Sequence, residues 1–188
     1  VVVVAVVVVV VVVVVDIVVN NNDFIYNNNN YIYNKYDVES DDVDDWGVSE
    51  KFFEILNNKW GPFTIDLFAN YYNNKCDRFY SLFYAPNSCG TDAFNFSWQG
   101  ENCLMVPPVG LVTKALYHAK ICGCEAVLIV PSWSSSPFWP VLQNNFGGAI
   151  KDLMVVKGKN VLVQGLNRNS IFGSDSFQGD ILALKLKF

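Results

Sequence analysis

Asp66 lies inside an apolar run, Phe63 to Ala69 (FTIDLFA), and a second apolar run, Cys103 to Val106, stops at Pro107-Pro108. A carboxylate delivered by a strand end can accept a hydrogen bond from an amine or a ribose hydroxyl, or it can be satisfied by nearby backbone donors. A Pro-Pro turn becomes chemical when it is bracketed. An Asn or Asp side chain beside it could accept a hydrogen bond from an amine, and a ring beside it could stack on a base. Here the bracketing residues are Val106 and Val109, which offer neither an acceptor nor a π-face. The remaining chemistry is removed by elimination. No G-x-G-x-x-G, G-x-x-x-x-G-K-[ST], G-x-S-x-G or H-E-x-x-H is present. His118 is the only histidine, and Cys76, Cys89, Cys103, Cys122 and Cys124 form no C-x-x-C pair, so no metal is expected. Trp133, Phe138 and Trp139 could stack on bases or pack beside a sheet.

The elements that must carry these residues are legible as periods. Trp46 to Asn58 places Val48, Phe52, Phe53, Ile55 and Leu56 at near-helical spacing, with Ser49 as N-cap and Gly61-Pro62 as the stop. Phe63 to Ala69 and Arg78 to Tyr84 read as strand-like runs, with Asn70 to Lys75 a polar loop between them. After the Pro-Pro turn, Val109, Val112, Ala115, Leu116 and Ala119 recur at helical spacing, and Ala126 to Val130 (AVLIV) is a strand buried on both faces, ended by Pro131. A continuous apolar strand after a helix indicates a parallel sheet covered on both sides. Leu153 to Val156, Val161 to Val163 and Ile181 to Leu186 are expected as further strands at one sheet edge. The expected class is α/β, doubly wound.

Of the 188 residues, 52% are hydrophobic and 16% charged, enough apolar surface for a real core. The formal net charge of -5 is uneven: 8 of the 18 acids but only Lys35 among the 13 bases precede Trp46, leaving 12 bases and 10 acids after it, a net +2. That permits nucleic-acid contact without arguing for it. Residues 1–45 read as a low-complexity Val/Asn/Asp-rich tail, expected to be disordered, and 46–188 as one domain. The valine run is short for a membrane span and lacks a signal-peptide pattern, so no membrane association is expected. Unpaired cysteines suggest buried apolar residues in a reducing, intracellular setting, and the missing initial Met suggests a fragment of a longer chain.

Whole segments carry a resemblance. FTIDLFANYYNNKCDRFY at Phe63–Tyr80, DAF and W at Asp92–Trp98, PPVGLVTKAL at Pro107–Leu116 and VLIVPSWSSSPFW at Val127–Trp139 resemble phage-type Dam DNA adenine methyltransferases. Asp66, Ala69, Asn73, Lys75, Cys76 and Arg78 stand where that family shows D, A, N, K, C and R. The chain is more similar still to the methyltransferase-like region that follows reverse transcriptase and ribonuclease H in DIRS-type, tyrosine-recombinase retrotransposon polyproteins. Asp44-Asp45-Trp46, Trp60 to Ala69, Arg78 to Ser81, Asp92-Ala93-Phe94, Trp98 to Asn102, Val106 to Val109 and Val130 to Pro140 carry that match. The resemblance implies a Rossmann-like methyltransferase-type sheet, a vestigial S-adenosylmethionine site at Asp66, Ala69 and Asn73, and nucleic-acid contacts at Arg78, Trp133 and Trp139. Val106, Pro107, Pro108 and Val109 stand at the degenerate catalytic motif. Three functions follow as alternatives. One is a catalytically inactive domain with a structural or nucleic-acid-contacting role, beside DNA, RNA or other modules of the polyprotein, possible in the nucleus and needing no cofactor. The second is an active methyltransferase using S-adenosylmethionine, with its amine acceptor drawn from Asp92 or Asn102. The third is a degenerate element copy without function.

Overall fold

The computed structural model of the chain describes residues 24–26, 32–34, 46–164, 170–172, 174 and 177–188. Contacts divide the chain into two units, Val1–Asp42 and Val43–Phe188. In the first, β1 (Phe24–Tyr26) pairs antiparallel with β2 (Ile32–Asn34). The rest of the low-complexity tail, with the disorder expected for it, lies outside the described residues. Among the described residues no helix is long and apolar enough to cross a membrane.

The second unit is built on a mixed five-stranded sheet. β4 (Ile65–Asp66), β5 (Asn102–Met105) and β6 (Glu125–Pro131) run parallel. β9 (Asp180–Lys187) lies antiparallel between β6 and β7 (Ile150–Lys157), so β7 returns to the direction of the first three. Alternation along the strands explains how both faces are covered. Cys103, Met105, Ala126, Leu128, Val130 and Leu184 turn to one face, where α2 (Val112–Cys122) and α3 (Phe138–Phe146) add Ala115, Leu116, Leu142 and Phe146. Leu104, Val106, Val127, Ile129 and Ala183 turn to the other, against Phe52 and Leu56 of α1 (Glu50–Trp60). The six residues Ala126 to Pro131 are all buried, and each large apolar side chain so placed contributes about 1.5–3 kcal/mol of transfer free energy.

Helix boundaries follow local chemistry. Ser49 caps α1, its hydroxyl accepting from the Phe52 N–H at 3.3 Å. Gly123, at φ 65°, ends α2 in the left-handed conformation that a side chain would strain. The Pro-Pro turn leads into a single 3-10 turn, Val109–Leu111, before α2 begins.

Long-range pairing overrode several expectations from local pattern. Trp46 to Val48 is not the start of a helix but β3 (Trp46–Val48), paired antiparallel with β8 (Leu162–Gln164). β8 therefore does not extend the main sheet, as its apolar run suggests. The expected strand at Phe63–Ala69 contracts to two residues. The run at Arg78–Tyr84 forms no named strand and joins the sheet edge only through the Asp66–Phe79 bridge and the Ala69 N–H, which donates to the Tyr80 carbonyl. α3 has no counterpart in the sequence reading: its first residues are Phe138, Trp139 and Pro140, it has no side-chain cap, and its fit to the core, not its propensity, makes it helical.

Candidate ligand site at the carboxyl ends of the strands

Three parallel strands share one carboxyl edge, and in open α/β sheets that edge is where ligands meet the fold. Here it is formed by Asp66 at the end of β4 and Val106 just beyond β5. The ribbon of β3 closes over them, so Trp46, Gly47 and Val48 line a recess with Asp66 and Val106, completed by Phe68, Asn73 and Lys75 from the following loop. The recess is small, about 10 Å3, the room of about one water.

An asparagine-rich turn positions the loop. The Asn70 side-chain oxygen accepts from the N–H groups of Tyr72 (2.8 Å) and Asn73 (3.1 Å), and the Asn73 side chain accepts from the Asn70 N–H at 2.7 Å. This closed turn sends the Lys75 N–H back to Asp66 Oδ2 at 3.1 Å. The Lys75 ammonium reaches Glu50 in the first turn of α1 at 3.0 Å, tying the loop to the helix.

Asp66 is 3% exposed. Burial pushes its carboxyl up to about 7, against the opposing pull of the Lys75 and Phe68 backbone N–H groups and the Lys75 charge. Its Oδ1, and the indole Nε1 of Trp46, also buried, have no hydrogen-bond partner among the described residues. Trp46 and Asp66 both line the recess, and each carries a buried polar atom without a partner, which the usual satisfaction of interior polar groups makes uncommon.

Beside it stands an aromatic wall. Trp46 lies 4.8 Å from Phe172 between ring centroids, and Phe172 in turn 5.5 Å from Trp133 and 5.1 Å from Phe177. These rings pack in the same core as Val106, which is 5% exposed. Pro107 is buried, Pro108 and Val109 half-buried, and the Pro108 carbonyl is engaged by the Leu111 N–H at 2.8 Å.

The structure brings together Asp66, Asn73 and Val106, with Ala69 buried nearby in the chain and bonded through its N–H to Tyr80. It does not gather Arg78, Trp133 and Trp139. The Arg78 guanidinium is held by Glu101, Nη1 lying 2.9 Å from Oε1, and that partner raises its pKa. Trp133 packs on the α1 side of the sheet and Trp139 on the opposite side. The two alternative amine acceptors are engaged elsewhere. The Asp92 carboxylate accepts from the Phe94 N–H at 3.1 Å. Asn102 donates to the Trp60 and Pro62 carbonyls and accepts from Lys185, at the amino end of β5, four residues or about 13 Å from Val106. His118 donates to or accepts from nothing in the recess; its Nε2 meets the Phe96 carbonyl at 2.9 Å, and its ring lies 4.3 Å from Trp98. Of the cysteines, Cys76, Cys103 and Cys124 are buried as small apolar residues, and burial lifts the Cys76 thiol to about 12; Cys89 is exposed. No cluster of metal-ligating side chains occurs among the described residues.

Trp46 is the residue that sequence reasoning missed. Its place depends on β8, more than a hundred residues away, and no local period announces such a pairing. A family model described as DNA N-6-adenine-methyltransferase (Dam) matches residues 35–153. No curated protein matches the chain.

Proposed function

Because this chain belongs to the DNA N-6-adenine-methyltransferase (Dam) family, we propose that it is a catalytically inactive adenine methyltransferase-like domain of a retrotransposon polyprotein, kept for structural or nucleic-acid contacts. The observation that carries this reading is Val106-Pro107-Pro108-Val109 with its surroundings: no side-chain acceptor for an amine, no ring for a base, and the neighbouring ground filled by Trp46, Phe172 and Trp133. A Rossmann-like, methyltransferase-type sheet is supported by the parallel strands with one reversed strand set between β6 and β7, and by helices on both faces. The retrotransposon setting rests on the ordered motifs from Asp44-Asp45-Trp46 to Val130–Pro140.

S-adenosylmethionine, the methyl donor such a family uses, needs a cleft of several hundred Å3. The recess as described does not fit it as a whole: it admits one small polar group, and Asp66 and Trp46 are the only buried side chains lining it that have an unpartnered polar atom among the described residues. No methyl-transfer step is therefore derived. Loss of alignment and of base capture each costs a few kcal/mol of barrier. Incubation of the chain with radiolabelled S-adenosylmethionine and adenine-containing DNA should give no incorporation above a heat-killed control. Incorporation that disappears in Asp66→Ala would establish the active alternative instead.

A further inference from the structure

The main sheet has one long open edge. β4, at one end, is two residues long and flanked by the Asp66–Phe79 bridge, whereas β7, at the other, runs eight residues and pairs only with β9 among the described residues. The Gly158 N–H donates to the Gly179 carbonyl just past the Lys157–Asp180 pair of that ladder. Antiparallel pairs alternate between bonded and non-bonded, so Met154 and Val156 direct their backbone groups to β9, and Leu153, Val155 and Lys157 direct theirs outward. Open edges are usually guarded by charge, a proline or a bulge. β7 has no proline, and its bulge lies at its start, between Ile150 and Asp152. Its charges are held within the domain: Lys151 by the Gly148 carbonyl, Asp152 by Lys59 and Lys157 by Asp180. Between them Leu153 to Val156 is wholly apolar, with Leu153 50% and Val155 56% exposed. Residues 43–188 carry 12 bases and 12 acids, so no net charge of this unit holds two copies apart.

We propose that β7 is a homodimerisation edge, on which a second copy of this chain pairs antiparallel about a two-fold axis at Val155, so that the two sheets run on into one. Val155 then stands opposite Val155 of the partner subunit, Met154 opposite the partner's Val156, and Leu153 opposite the partner's Lys157, whose aliphatic stem covers it. The outward groups of Leu153, Val155 and Lys157 form three residue pairs with two backbone bonds each. In doing so the Leu153 N–H exchanges Asp152 Oδ1, which meets it at 2.8 Å, for a carbonyl. Bonded residues must face bonded residues, so the register can slip only by two. One slip sets the bulge and Lys151 against Lys157, and the other carries Leu153 past the end of the strand. The contact is small, which places the dimer among weak, reversible ones.

The test is sedimentation velocity of the full chain from about 1 to about 300 μM, beside Val155→Glu and Val155→Lys. The wild type should show a concentration-dependent equilibrium between monomer and dimer. Each variant sets like charges opposite each other at the axis and should weaken the dimer at least about tenfold. An equimolar mixture of the two variants should recover it, because a glutamate then faces a lysine, a rescue that only directly opposed positions give. The side chain at 155 is exposed, and far-ultraviolet circular dichroism matching the wild type verifies that both variants stay folded. A monomeric wild type over the whole range, a dimer that neither substitution weakens, or two weakened variants whose mixture recovers nothing overturns the pairing; the last would mean apolar association without this register. None of those results touches the inactive-methyltransferase reading, which only methyl incorporation overturns.

Discussion

Asp66 is the carboxyl group that burial shifts upward among the described residues. Its folded pKa of about 7 lies above the ordinary 3.8 because burial penalises the anion. Between those values the native state binds more protons than the unfolded chain, so stability falls as pH rises from about 4 to about 7 and is level above. About 3 units at 1.36 kcal/mol each gives an upper figure of about 4 kcal/mol. Glu125 and Asp152 act in the opposite sense, since their lysine partners lower them and their contribution is lost on acidification. The difference between wild type and Asp66→Asn isolates the first effect. Denaturant melts should show the two proteins close at pH 4 and the variant more stable by a few kcal/mol at pH 8; equal stability at both pH values would mean that Asp66 is not strained by burial. Val106 offers a second contrast. A buried amide without partners costs about 1–3 kcal/mol, yet Val106 lines the same recess as Trp46 and Asp66, which carry an unpartnered donor and an unpartnered acceptor. Val106→Asn should therefore change stability by less than about 1 kcal/mol, while Val127→Asn, in the same core but away from the recess, should cost about 2–4 kcal/mol. Comparable losses in both variants would show that the orphan atoms cannot reach an amide at position 106.

At the scale of elements, what the sequence declares is what its neighbours determine. The AVLIV strand, the helix after the Pro-Pro turn and the Ser49 cap are all encoded within a few residues, and all three stand where their periods place them. β3 and α3 are not so encoded, and β8, whose apolar run is legible at Val161–Val163, has a partner that is not. The ladder of Trp46–Val48 on Leu162–Gln164 exists because two short apolar runs from distant parts of the chain bury each other. The candidate site divides along the same line: Asp66 and Val106 are visible as a strand-end acid and a strand stop, whereas Trp46 joins them only through β3. β9 carries the largest share of pairing, bonded to β6 along seven residue pairs and to β7 on its other side. Leu184, 2% exposed at its centre, should cost about 2–5 kcal/mol as Leu184→Ala. Ser49→Ala, which removes one cap, should cost about 1 kcal/mol. Thermal and chemical denaturation ranks them; a cap loss as large as the core loss would mean that α1 anchors the domain more than β9 does.

For the whole molecule the question is which part folds. Among the described residues, both cores, one on each face of the sheet, are drawn from residues between Trp46 and Phe188. The contact boundary falls at Val43, a few residues before β3. A homopolymeric valine run and an Asn-rich stretch supply neither the 3.6 nor the 2.0 period that would let them join such a core. Removal of residues 1–42 takes away 6 of the 18 acids and 1 of the 13 bases, which leaves 12 of each and a formal net charge of zero. A chain beginning at Val43 should therefore unfold within about 2 °C of the full-length protein, because a domain of this size shifts by about 4 °C for each kcal/mol. Calorimetric melts at equal concentration and ionic strength make the comparison. A drop of more than about 4 °C would mean that residues before Val43 contribute about 1 kcal/mol or more to the folded state and that the period argument fails for this tail.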